Sequence, residues 1–296
     1  MRSSVRSILT AAVLIAGVSV PVVLAVEATR EPACDRGCLL DFTNNYLEAM
    51  LAHDPSALPV TPDLKATENG KARQLGEGLW KTAKGIPFRQ AFADPSAGQA
   101  GFFGVIMEEN GDRALFVLRL KIRRQRIQEV ETLVARKSTH NLFSPETLTA
   151  PNLVFDEALP ETDRVPRENL IAVANSYFEG IEQHKDSLIP FHPDCNRREN
   201  GVQVTNSGAR LMSCRASISA ASYIAKVRSR RFPIVDESRG LVLAAVHFDI
   251  PAAPPAPGNG PRSVLLYELF KVESGRIRDI EAFLMNAPLG ASNGWE

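Results

Sequence analysis

Apolar residues Leu39, Phe42, Tyr46, Leu47, Met50 and Leu51 recur at three- and four-residue steps, which predicts an amphipathic helix. Asp54-Pro55 ends it, because the residue before a proline is pushed out of helical geometry. A turn-rich stretch to Pro62 follows, then a short strand over residues 65–69 closed by Gly70. Residues 76–82, which include Trp80, form a shorter helical or looped element. Strands are then predicted over 101–108, 114–122 and 126–135, the first two joined by the hairpin signal Glu109-Asn110-Gly111-Asp112. The order then returns. A helix over 167–183 precedes a strand ending at Glu199-Asn200-Gly201. The spacing of Ile218, Tyr223, Ile224 and Val227 predicts a helix over 216–230. Strands follow over 241–250, 263–272 and 276–284, with a proline-rich hairpin loop at 251–261.

This recurrence is written into the residues. Residues 44–70 align with 175–201 at a constant offset of 131 without a gap, and 11 of the 27 positions are identical. They include Tyr46/Tyr177, His53/His184 and the triplets Glu68-Asn69-Gly70 and Glu199-Asn200-Gly201. The last strands align at an offset of 150, with Arg126-Ile127 over Arg276-Ile277, Glu131 over Glu281 and Lys121 over Lys271. One small module is therefore used twice.

Helices first and strands last in each module give an α+β fold with helices on one face of a curved antiparallel sheet. Residues 102–107 and 241–246 are apolar on both strand faces, so each sheet needs a second layer. The other module's sheet supplies it, and the two modules are expected to pack as an intramolecular pseudo-dimer. The linker lies around 138–164, interrupted by Pro145, Pro151 and Pro160. The expected organisation is a signal peptide at 1–28, a first module with linker at 29–150, and a second module at 151–296.

Arg2 and Arg6, the apolar run 8–24 and the small residues near Ala25 and Ala28 have the form of a signal peptide. A retained membrane anchor is the alternative, though the run is short and holds Pro21. A secreted or periplasmic location follows, without stable membrane association after cleavage. In that compartment the four cysteines are expected to pair; three connectivities are open to them, and local proximity favours Cys34 with Cys38 and Cys195 with Cys214. No metal site is expected of them. Setting aside Arg2 and Arg6 leaves 34 − 2 = 32 basic against 34 acidic residues. That balance gives no footprint for nucleic acid. The short basic run Arg228, Arg230 and Arg231 reads as a solvated helix end.

The element order, closed by Lys271-Val272-Glu273-Ser274-Gly275-Arg276-Ile277-Arg278-Asp279-Ile280-Glu281, resembles the nuclear transport factor 2-like superfamily, including its SnoaL-like polyketide cyclase branch. Three further stretches resemble an uncharacterised family of secreted fungal and bacterial proteins with two such modules. They are Cys34-Asp35-Arg36 with Cys38-Leu39, Thr67-Glu68-Asn69-Gly70 with Leu75-Gly76 and Gly78-Leu79-Trp80, and Val235-Asp236-Glu237 with Arg239-Gly240-Leu241-Val242. The resemblance spans roughly residues 34–296. It implies tandem cone-shaped α+β barrels, each with a pocket. In that superfamily the pocket serves cofactor-free isomerases, dehydratases, lyases, cyclases and epoxide hydrolases, or modules that only bind or dimerise. The fold alone does not choose among them.

Candidate chemistry rests on residue types. Glu68 and Glu199 are candidate bases, with Asn69 and Asn200 beside them as donors for anion stabilisation. Alternation along a strand lets only one of each pair face a given cone. Tyr46 and Tyr177 are candidate acids, or core tyrosines with anchored hydroxyls. His247, in mid-strand among apolar residues, faces either a cavity or a satisfied core position. His53 and His184 end helices and His140 and His192 lie in loops, which gives them bland roles. Arg119 opposite Glu131 would bind a polar substrate or form a cross-strand ion pair. Trp80 is a stacking platform or a core residue. No phosphate loop, nucleophile elbow or metalloprotease motif is present, and no cofactor is expected. The leading reading is acid/base chemistry (a lyase, dehydratase or isomerase) on a small organic or sugar-like molecule. The alternative is a non-catalytic ligand-binding or interaction module, as a monomer with an internal pseudo-dimer or as a homodimer. The modules are not chemically equivalent: Leu211 stands at the position of Trp80, and module one has no counterpart of His247.

Overall fold

The computed structural model describes residues 34–208, 211–251 and 260–296, so the signal-peptide segment lies outside the described residues. Helix α1 (Arg36–Leu51) opens the first half, capped by the Asp35 side chain, which accepts from the Cys38 amide at 2.9 Å. It buries the predicted apolar stripe from Leu39 to Met50. Strands β1 (Val60–Glu68), β2 (Lys71–Ala72), β3 (Ala83–Asp94), β4 (Gln99–Glu108), β5 (Arg113–Arg123) and β6 (Arg126–Ala135) follow. The second half repeats them as α2 (Arg167–Gln183), β7 (Phe191–Glu199), β8 (Val202–Gln203), α3 (Cys214–Ala220), β9 (Lys226–Asp236), β10 (Leu241–Ile250), β11 (Arg262–Glu273) and β12 (Arg276–Pro288).

Both sheets have six strands in one topology, β2-β1-β6-β5-β4-β3 and β8-β7-β12-β11-β10-β9. They are mixed rather than antiparallel throughout, since β1 runs parallel to β6 and β7 parallel to β12. The fold is α+β, two helix-on-curved-sheet cones in tandem. Each cone has its own core, one around Tyr46, Trp80 and Phe116, the other around Tyr177, Phe178 and Phe270.

A third core joins the sheets face to face. Phe103 of β4 stacks on Phe283 of β12 with ring centroids 4.7 Å apart, and Phe92, Leu115, Ile234, Leu243 and Leu265 pack around them. The two-faced apolar strands are explained by this layer, and the halves form the expected internal pseudo-dimer. The linker joins the same core, burying Leu148 and Phe155 in successive 3₁₀ turns.

Two elements differ from expectation. The helix predicted over 216–230 stops at Ala220, and β9 begins at Lys226. Its apolar spacing fits a helix, but β10 offers an edge that pairs with β9 from Asp236↔Leu241 to Lys226↔Asp249. Burial against that neighbour overrides local propensity. The basic run is therefore no helix end. Arg228 meets Asp249 at 2.9 Å, Arg230 meets Glu182 at 2.5 Å, and Arg231 meets Glu131. Strand β3 was not expected, because Gly85 and Pro87 mask it; register shifts against β4 fall at those residues.

Candidate functional site

The second cone encloses a cavity of ≈ 170 Å³. Tyr177 enters it from α2, where the apolar stripe turns inward. Arg197 and Glu199, two apart on β7, share the face that lines it, and Val264, Leu266 and Glu268 line it from β11. His140 and Leu142 of the linker, Tyr223 and Arg262 also line it.

Its polar groups form a chain. Glu199 Oε1 pairs with Arg197 Nε at 3.0 Å, and Arg197 Nη1 donates to Tyr177 Oη at 2.9 Å. Tyr177 and Glu268 line the same cavity, and Tyr177 opposes the rise in the Glu268 pKa. Glu268 is 2% exposed, and its Oε2 has no partner among the described residues. Burial pushes its carboxyl up to about 8; Glu199 adds to the rise, while Arg197 and Tyr177 oppose it. Burial likewise raises Tyr177 far above the usual phenol range. Burial works against the Arg197 charge, but Tyr177 and Glu199 hold its pKa above the ordinary value. The arrangement is a protonated acid that shares one cavity with a carboxylate, an arginine and a phenol, which suits proton transfer.

In the first cone the corresponding side chains pack on one another. Trp80 is buried, donates from Nε1 to Tyr46 Oη at 3.0 Å, and meets the Tyr46 ring edge-on at 5.2 Å. Glu68 Oε2 accepts the Leu79 amide at 3.0 Å and so holds the 3₁₀ turn that carries Trp80. Tyr46, Glu68 and Trp80 are thus bound to one another's elements. Leu118 stands where the offset of 150 places Glu268. At the Trp80 position of module two, Leu211 is exposed.

Asn69 and Asn200 do not face either cone. Both adopt left-handed geometry (φ 54° and 48°) and, with Gly70 and Gly201, form two-residue turns from β1 to β2 and from β7 to β8. Their side chains extend the parallel ladder. Asn69 Oδ1 accepts the Val134 amide at 2.7 Å, and Asn200 Oδ1 accepts the Leu284 amide at 2.9 Å. Nδ2 of each returns a bond to the same residue's carbonyl. Their amides are consumed by backbone, which removes them from substrate binding.

Arg119 lies opposite Glu131 as the register requires, at 2.6 Å. The pair sits between the sheets, not in a cone: Arg231 and Tyr267 of the other half also bind Glu131. Burial opposes the Glu131 charge, yet Arg119 and Arg231 hold its carboxyl below the usual range. His247 also turns to the inter-sheet side, because its neighbours Val246 and Phe248 take the cone face. Burial lowers its pKa to about 4, with Arg228 contributing. The sulfurs of Cys34 and Cys38 are joined, as are those of Cys195 and Cys214, with α-carbons 5.3 and 5.9 Å apart. The second bridge ties α3 to β7 beside the cavity.

Sequence reading missed Arg197, Glu268 and His140. Glu268 carried a signal, a lone acid in mid-strand within Leu265-Leu266-Tyr267-Glu268-Leu269-Phe270. His140 enters the cavity only through the linker's path. Its Nδ1 accepts the Leu142 amide at 3.1 Å, and burial lowers its pKa.

Residues 163–284 match the family described as a domain of unknown function (DUF8021). No curated protein sequence matches the chain. Among solved structures, the chain is similar to an LEH-like epoxide hydrolase from M. tuberculosis, at 12% identity and a TM-score of 0.29, over 40% of this chain and 84% of that one. It is also similar to an NTF2-like protein of unknown function from Cytophaga hutchinsonii, at 10% identity and a TM-score of 0.29, over 40% of this chain and 98% of that one.

Proposed function

We propose that the second cone is a cofactor-independent acid/base site, of the lyase, dehydratase or isomerase kind, acting on a small organic molecule. The observation that carries this is Glu268. A buried carboxyl oxygen without a partner, facing a cavity, costs stability unless something else uses it. At neutral pH Glu268 holds its proton and can donate it to an oxygen leaving the substrate. Glu199, fixed by Arg197, accepts the proton released from carbon. Arg197 and Tyr177 stabilise the charge that develops between the two carboxyls. The first cone, with Trp80 packed on Tyr46, serves as scaffold.

We further read residues 1–28 as a signal peptide and 29–150 and 151–296 as the two modules of an exported protein. The two disulfides support that reading.

The test is a panel of small hydroxylated and unsaturated carbonyl compounds followed by NMR. Wild type should turn over at least one, and Glu268→Gln should lose about a hundredfold or more of that rate. Turnover unchanged in E268Q would sink the assignment. Binding without turnover would leave a ligand-binding module in its place.

A further inference from the structure

We infer that the second cone takes a carboxylate carried on a small, ring-sized apolar body, and that Arg262 is the anchor for that carboxylate. The inference rests on reading this cone as the ligand site, but not on any turnover there.

Arg262, Val264, Leu266 and Glu268 alternate along β11 and all line the cavity. Six residues at roughly 3.3 Å each place the α-carbons of Arg262 and Glu268 about 20 Å apart, with side chains closing the gap. One end is therefore a permanent cation and the other an uncharged carboxyl, with apolar Val264, Leu266, Phe248 and Ile250 between. A ligand matching this gradient is acidic at one end and apolar in the middle.

Arg262 is poorly satisfied within the protein. Its Nε is buried without a hydrogen-bond partner among the described residues, and its Nη1 donates to the Gly260 carbonyl at 3.3 Å. It enters no ion pair among the described residues, whereas Arg197, Arg228, Arg230 and Arg231 each meet a carboxylate. The cavity's own carboxyls cannot answer it: Glu199 is held by Arg197, and Glu268 is protonated at the far end. Burial dominates the lowered pKa of His140 and the raised pKa of Tyr223; Arg262 adds to the first and opposes the second, while the Glu199 charge acts against it at both. A carboxylate would take a paired bond from Nε and a terminal nitrogen. The volume limits the body, since a cavity of about 150 Å³ holds one benzene ring.

The whole protein is titrated calorimetrically with phenylacetate and with its neutral isostere phenylacetamide, for wild type and Arg262→Gln. Wild type should bind phenylacetate about tenfold or more tightly than the amide. Arg262→Gln should bring phenylacetate down to the level of the amide and leave amide binding unchanged, which also shows that the variant folds. Arg262→Lys should restore part of the preference. Equal affinities in wild type, a preference that survives in R262Q, or no phenylacetate binding at millimolar concentration would each overturn the inference. Glu268→Gln should retain the preference, so failure of the anchor and failure of the acid/base reading give different results.

Discussion

Arg36 Nη1, in the first turn of α1, lies 2.7 Å from Asp236 Oδ2 at the end of β9 in the opposite half. The pseudo-symmetric pair is Arg167 of α2 with Asp94 of β3, at 2.8 Å. Each opening helix therefore grips the other half's sheet. Asp94 also accepts the Val235 amide at 2.9 Å, which stitches β3 to β9. Burial opposes the charge of Asp94, but Arg167 and Ser96 keep its carboxyl below the usual range.

Removing the acceptor should therefore cost more than removing the cation. Asp94→Ala leaves a buried amide unanswered and should lose about 1–3 kcal/mol. Arg167 is about a third exposed, so Arg167→Ala should lose about 1 kcal/mol or less. Urea unfolding of the two variants measures the difference.

Stability should fall as pH rises across the neutral range. Glu268 and Glu281 both have carboxyls raised by burial from 4.5 to about 8 in the folded protein. The unfolded chain gives up these protons first, so between those values each group favours unfolding by about 1.4 kcal/mol per pH unit. The loss levels off above about 8. Glu281→Gln should flatten this slope and raise the melting temperature at pH 8 more than at pH 5, as read by thermal unfolding across pH. Glu281 suits the test because its Oε1 has no hydrogen-bond partner among the described residues and it lies outside the cavity.

The asparagine turns should matter through the backbone. Asn200→Ala removes three hydrogen bonds, to Leu142 and Leu284, and leaves an alanine in left-handed geometry. A loss of about 2–4 kcal/mol is expected, larger than for Asn69→Ala, which removes two. Gly201→Ala should be as severe, because its Cβ would collide with the Ser144 carbonyl. Denaturant midpoints decide the order.

The two disulfides should differ. Cys195–Cys214 closes a separation of 19 residues and is buried beside the cavity, while Cys34–Cys38 closes 4. Loop-closure entropy predicts about 3 kcal/mol for the first and distinctly less for the second. Comparing C195S/C214S with C34S/C38S by chemical unfolding tests this, and only the first should weaken ligand binding in the second cone.

How much was legible follows from where each signal resides. The helix stripe from Leu39 to Met50 and the strands β4, β5, β10, β11 and β12 were readable, because their periodicity is local. Strand β9 was not, since the pattern from Ile218 to Val227 also fits a helix and only β10 decides it. The repeated Glu-Asn-Gly triplets drew attention as chemistry. They are alike because both sheets need the same turn, and each turn is covered by a tail from the other half. Ser292 closes over Gly70, and Ser144 over Gly201.

The chain by itself determined a duplicated α+β module and the two-faced strands that demand a second layer, while the choice among three cysteine pairings came from the structure. The module and its strands follow from spacing within a few tens of residues. Tertiary structure decided which residues meet in the cavity of the second cone. Glu199 and Tyr177 have counterparts in Glu68 and Tyr46, yet only the second pair is locked by a tryptophan. Arg197, Glu268 and His140 reach one cavity from β7, β11 and the linker, and a carboxyl acquires its raised pKa only from the burial that this convergence creates.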